Sequence, residues 1–151
     1  EHPTSAGLGA TFETEALGPQ PVETLPGAVL GDAVIHEQDL RGALGDRNAR
    51  TSAELVGALD AMVRGLRRGF PRAGLPTLRV VATDVGMEWL MGLDAPAAAL
   101  QGSAFELFRT VSGRRTRAEI AALGWSGDPA PFIDHLVWPF FTPPAKSLGE
   151  S

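Results

Sequence analysis

Leu78-Arg79-Val80-Val81-Ala82-Thr83-Asp84-Val85 is the stretch on which the fold class turns. It is short, rich in β-branched residues and follows a break between Pro71 and Pro76, which is how a strand reads. Residues 88–93 can pair with it as a hairpin, and residues 97–102 read as a third, weaker strand. Upstream of the break the regular signal is helical. After the break the signal thus turns from helical to β-like.

The clearest helix lies just upstream. Thr51-Ser52-Ala53-Glu54 is a capping-box sequence, in which the Thr and Glu side chains can satisfy exposed N–H groups reciprocally. Leu55, Leu59, Met62 and Leu66 then form an apolar stripe, widened by Val56 and Val63, and Gly69 and Pro71 stop it. Before it, Leu25, Val29, Ala33, His36, Leu40 and Leu44 step by threes and fours, the spacing of one helix face, and Gly45 ends the run. The spacing predicts helices over 24–44 and 52–68. Two antiparallel helices are half of a four-helix bundle, and a lone helical hairpin buries little surface, so further helices are expected to cover them. Leu30 and Val34 lie on the face opposite the stripe, which points the same way. Residues 1–22 read as loop, with a possible short helix over 11–17.

Downstream, Ser103-Ala104-Phe105-Glu106 opens a helix that Gly113 closes, and Thr116-Arg117-Ala118-Glu119 opens another ending near Leu123. Trp125 falls on a short edge strand. Asp128-Pro129 is an N-cap and first-turn pair for a last helix over 131–138. From Pro139 on the tail reads as frayed. Trp89, Trp125 and Trp138 are expected in the core or at an interface, and His135 as a packed or surface residue.

Composition narrows the function classes. The 151 residues contain no cysteine, so protein disulfides, thiolate nucleophiles and Cys-based zinc sites are excluded within this sequence. A net charge of -5, with Lys146 the only lysine, argues against a nucleic-acid surface. No apolar run approaches the roughly 18–20 residues of a membrane helix, and no secretory signal is visible, so a cytoplasmic protein is expected. Glu1-His2-Pro3 is an unusual start, and upstream sequence is expected.

The segment Asp32-Ala33-Val34-Ile35-His36-Glu37-Gln38-Asp39 holds the sharpest chemistry. At about 100° per residue, Asp32, His36 and Asp39 fall within about 60° of one another, in the sector of Leu25, Val29, Leu40 and Ala43. Polar groups inside an apolar stripe are costly unless they bind each other, a metal or a substrate. A carboxylate and a histidine four apart can point at one ion, with Asp39 as a further ligand or orienting the ring. On spacing alone two readings stand: a metal pair, or a hydrogen-bonded core histidine flanked by carboxylates.

The run Leu30-Gly31-Asp32-Ala33-Val34-Ile35-His36-Glu37-Gln38-Asp39-Leu40-Arg41-Gly42-Ala43-Leu44-Gly45 resembles the signature of the mycothiol-dependent maleylpyruvate isomerase-like family and its DinB-like bundles. Gly102 to Phe108, Ser112 to Arg115 and Gly127-Asp128-Pro129 are similar to the domain that follows the bundle there. The resemblance covers about three-quarters of the chain. It implies an α+β fold: the C-terminal part of a DinB-like helical bundle over 1–70, then a small sterol-carrier-like α/β domain over 71–151. It implies that Asp32 and His36 hold a divalent metal, zinc by preference, with a third histidine from a first helix that this sequence lacks; His2 is a poor substitute. The family has Glu where Asp32 stands. Arg114 is the best match to an arginine that holds anionic substrate or thiol, although a cation at a helix C-terminus also serves the helix dipole. The implied activity is a metal-dependent, mycothiol-using isomerase or S-transferase acting on an electrophilic substrate. A non-catalytic binding or interaction protein on the same scaffold is the alternative.

Overall fold

A computed structural model describes residues 25–150, and side chains from Val29 onward. His2 and the possible helix over 11–17 lie outside the described residues. The chain is mixed α+β: α1 (Leu25–Ala43), α2 (Ala53–Arg67), a short α3 (Gly69–Arg72), β1 (Leu78–Ala82), β2 (Met87–Met91), β3 (Ala98–Gly102), α4 (Ala104–Val111), α5 (Arg117–Ala121), β4 (Gly124–Ser126) and a 3-10 turn (Ile133–His135). The helices and strands expected from 24 to 126 thus form, within a few residues of their expected limits.

The sheet runs in the order β2-β1-β3-β4. β1 and β2 make the antiparallel hairpin, β3 lies parallel to β1 on its other side, and β4 pairs antiparallel with β3 at the edge. A parallel neighbour usually demands a long crossover. Here β2 has already carried the chain back to the starting end of β1, so residues 92–97 need only pass across that end. They are tied there by Asp94 N to Thr77 Oγ1 (3.0 Å) and Ala97 N to Thr77 O (2.9 Å).

Alternation places Leu78, Val80, Ala82, Trp89, Met91, Ala98 and Leu100 on the buried face, while Arg79, Glu88, Leu90 and Gln101 meet solvent. α2 and α4 pack against each other and over this face, and α1 packs on α2. Val34 and Ile35 of α1, six residues of α2 and the buried strand residues belong to one continuous core. The three tryptophans each find an acceptor for the indole N–H: Trp89 with Asp60 (2.8 Å), Trp125 with Ile120 O (2.8 Å) and Trp138 with Met62 O (3.1 Å).

Four expectations are corrected. Ser52, not Thr51, caps α2, its Oγ accepting from Leu55 N at 3.2 Å; both choices bury the same apolar residues, so only the local backbone separates them. Ser103 caps α4, but Glu106 does not close the box, because its carboxylate is drawn to Arg115. Thr116 and Glu119 do form the full box. The last helix over 131–138 is only the 3-10 turn. Trp138 N donates to Val111 O at 3.0 Å, so the backbone leaves the helical path to bond α4.

The largest correction concerns α1. The stripe read as its core face is the outer face: Val29, Leu40 and Leu44 are 63%, 68% and 82% exposed. The inward face is Gly31, Val34, Ile35 and Gln38, all buried. Both series have helical spacing, and Gly31 of the inward one faces Met62 of α2, whose sulfur lies 4.0 Å from the position a Cβ would occupy, an ordinary contact. The side chain of Leu25 lies outside the described residues.

Candidate functional site

Asp32 and His36 do come together. One turn apart on α1, they place Nε2 of the imidazole 3.5 Å from Oδ1 of the carboxylate, with side chains 67% (His36) and 73% (Asp32) exposed. The expectation that they sit in a buried stripe is therefore overturned, and with it the desolvation argument for a partner. What replaces it is geometric. Two donors on one tetrahedral zinc with bonds near 2.0–2.1 Å lie about 3.3–3.4 Å apart, close to the separation already present in the pair. An imidazole nitrogen and a carboxylate oxygen are a chemically suitable donor set. Two donors do not complete a site, however, and no group of three metal-binding side chains gathers among the described residues.

Asp39, expected to join the pair, turns to the arginines of the α/β part. Its Oδ2 accepts from Nη2 of Arg114 at 3.0 Å, and its Oδ1 lies 2.8 Å from Nη1 of Arg109. Arg114, just past the end of α4, also donates to Ser112 O (2.7 Å) and lies over the Phe141 ring at 5.2 Å. The arginine singled out in the sequence is thus delivered to α1, to a residue one turn (about 4.5 Å of rise) beyond His36.

Arg109, Arg115, Glu106 and Glu150 complete this network and were not anticipated. The Arg109 side chain is 0% exposed and that of Glu150 6%. Glu150 Oε2 accepts from Nε of Arg109 at 2.8 Å and from Nη1 of Arg115 at 3.0 Å, while Oε1 accepts from Nη2 of Arg109. Arg115 is gripped from its other edge by Glu106, with Nε and Nη2 each at 2.8 Å. Three guanidinium groups thus face three carboxylates. Nη1 of Arg109 nonetheless lacks a well-formed hydrogen bond, since its approach to Asp39 is close but badly angled. A hint was present in the sequence: Arg109 lies one turn after Phe105 and beside Phe108, on the buried side of an amphipathic helix. For Glu150 no local signal exists, because its partner is 41 residues away. The tail expected to be frayed instead carries one of the most buried acids among the described residues.

The charges are tuned accordingly. Burial alone would raise the Asp39 pKa, but hydrogen bonds from Arg114 and Arg109 outweigh it and hold the carboxyl below its ordinary 3.8. Burial works against charged Arg115, yet Glu106 and Glu150 more than offset it and raise its pKa. Glu119 is likewise lowered: burial opposes ionisation, and hydrogen bonds from Ser147 and Thr116 prevail. A depressed carboxyl pKa stabilises the fold above the unfolded-state value, and that stability is lost as pH falls through the folded-state value. Asp39→Asn is therefore expected to cost about 1–2 kcal/mol at neutral pH and to flatten part of the acid limb below pH 3.8. Denaturant unfolding from neutral pH down into that limb measures this, and an acid limb identical to the parent's would refute the assignment.

His135 is exposed on the 3-10 turn. Two open grooves, about 290 and 410 Å³, lie at the far end of α2 near Arg64 and Arg67, and neither is lined by Asp32, His36 or Arg114. No described helix is long and apolar enough to cross a membrane. Compared with protein-family models, curated proteins and solved structures, the chain matches none.

Proposed function

We propose that this chain is part of a metal-dependent enzyme that uses a small-molecule thiol, an isomerase or S-transferase of the mycothiol-dependent maleylpyruvate isomerase kind. On this reading α1 and α2 are the end of a DinB-like bundle and the following α/β part is sterol-carrier-like. The observation that carries the proposal is the Asp32–His36 pair, whose donor atoms are 3.5 Å apart on one exposed face of α1. Asp32 and His36 would hold a divalent cation, zinc by donor chemistry, and zinc supplies Lewis acidity and a lowered pKa for a bound thiol. Arg114 would fix an anionic group of the ligand, using guanidinium edges not directed at Asp39 and Ser112. These 151 residues contain no cysteine, so no thiol among them competes for the electrophile. Val29, Leu40 and Leu44 flank the pair with exposed apolar surface, which suits further helices, from this protein or another chain, that bring the third ligand. A mycothiol cosubstrate places the reaction in the cytoplasm.

The test is His36→Ala in the full-length protein, with bound zinc and thiol-dependent turnover measured together. The proposal expects zinc content to fall at least tenfold, since one of three or four ligands is lost, and turnover to fall with it. Metal content equal to the parent's returns His36 and Asp32 to an exposed i,i+4 pair on a non-catalytic scaffold.

A further inference from the structure

Glu150 sits in a seat that the rest of the molecule builds without it. Arg109 is fixed by burial within α4 and by Asp39, and Arg115 is held bidentately by Glu106. Opposite them, Gly42 of α1 leaves the space in which the carboxylate lies, since a Cβ there would fall 2.6 Å from Oε1. Nη1 of Arg109 is a buried donor that lies beside Asp39 without a well-angled hydrogen bond. The occupant, by contrast, arrives on a segment without helix or strand. Outside the seat its ties are few: Ser147 Oγ to Glu119 (2.6 Å), Gly149 N to Ser147 Oγ (3.1 Å), and the Glu150 carbonyl accepting from Nη2 of Arg50 (3.0 Å). Rigid donors and a lightly tethered acceptor are the arrangement of a receptor with its ligand covalently attached.

We infer that Arg109, Arg115 and Gly42 form a carboxylate-binding site, which Glu150 closes in cis, so that free small carboxylates compete with the 143–150 segment for it. Two guanidinium groups meeting one carboxylate explain the class of ligand: planar, singly charged and small enough for the gap beside Gly42. Without Glu150 the three arginines would face only Asp39 and Glu106, and the fully buried Arg109 guanidinium would keep only Asp39, shared with Arg114, as a counter-charge. The seat therefore draws in an anion whenever the segment leaves. The inference does not depend on metal at Asp32 and His36.

The test is rescue of Glu150→Ala by propionate, which restores the atoms removed. The variant is expected to melt several degrees below the parent, and propionate at saturation should recover about half of that loss. Sodium chloride and propionamide at the same concentration should recover none. Calorimetric titration should show propionate binding the variant at least about tenfold more tightly than the parent, in which Glu150 holds the site. If Glu150→Ala does not fold, Glu150→Gln keeps the side-chain volume and carries the same titration. Propionate that binds neither variant more tightly than the parent, or that acts no better than chloride, overturns the inference and leaves Glu150 as a structural ion pair only.

Discussion

Arg109→Ala is expected to destabilise the fold by about 3–5 kcal/mol, the range for removing one member of a buried ion network. The guanidinium has no solvent exposure, and Glu150, its principal partner, has almost none. Taking it away leaves the Glu150 carboxylate with Arg115 alone and Asp39 with Arg114 alone, and opens a cavity beside Phe105 and Phe108. Arg109→Lys keeps the charge but cannot reach Asp39 and Glu150 with one planar fork, so it should recover part of the loss and not all of it. Equilibrium unfolding in urea at neutral pH measures both. A loss under about 1 kcal/mol for Arg109→Ala would mean that water or mobile ions already screen this network.

Gly92→Ala is expected to cost about 2–4 kcal/mol, from overpacking together with an unfavourable backbone region. Gly92 follows β2 with φ at 146°, and a Cβ there would lie 2.2 Å from Oγ1 of Thr77 and 2.8 Å from its Cα. The contact with backbone cannot be relieved by a rotamer change. Thr77→Ala in the same chain removes the clash with the hydroxyl and leaves the one with Cα, so it should restore only a minor part of the stability. It also deletes the acceptor for Asp94 N, which helps hold the passage from β2 to β3. Thermal unfolding of the single and double variants decides this. Full recovery in the double variant would show that the backbone around Thr77 yields readily.

These two sites were not equally legible in the sequence. Gly92 follows the second strand of a hairpin that was read from the β-branched run at Leu78 and its pairing with residues 88–93. Arg109 could be suspected from its place among Phe105, Leu107 and Phe108, but nothing nearby says which acids meet it. The candidate metal pair was legible as a spacing: Asp32 and His36 are one turn apart on any helix, and the structure places their donor atoms together. Their burial was misread because α1 has two apolar faces. Val29, Leu40 and Leu44 make a longer series than Val34 and Ile35, yet the shorter one is the one that packs on α2 and is buried. Asp39 was read with the metal pair from its angle on the helix; the arginines that claim it are 70 and 75 residues further along.

By itself the sequence determined the order of helices and strands through β4 apart from the short α3, where a helix stop was read, together with the hairpin, the full box at Thr116 and Glu119, and the glycine endings of α1 and α4. Each rests on hydrogen bonds or sterics among residues a few positions apart, whose partners are already adjacent in the chain. Tertiary structure alone decided which face of α1 is covered, that Glu106 serves Arg115 and not its own helix, that 131–138 leaves the helical path, and that Glu150 lies between Arg109 and Arg115. Those outcomes depend on which distant groups compete for the same donor or the same buried surface, and that competition is settled only when the elements pack.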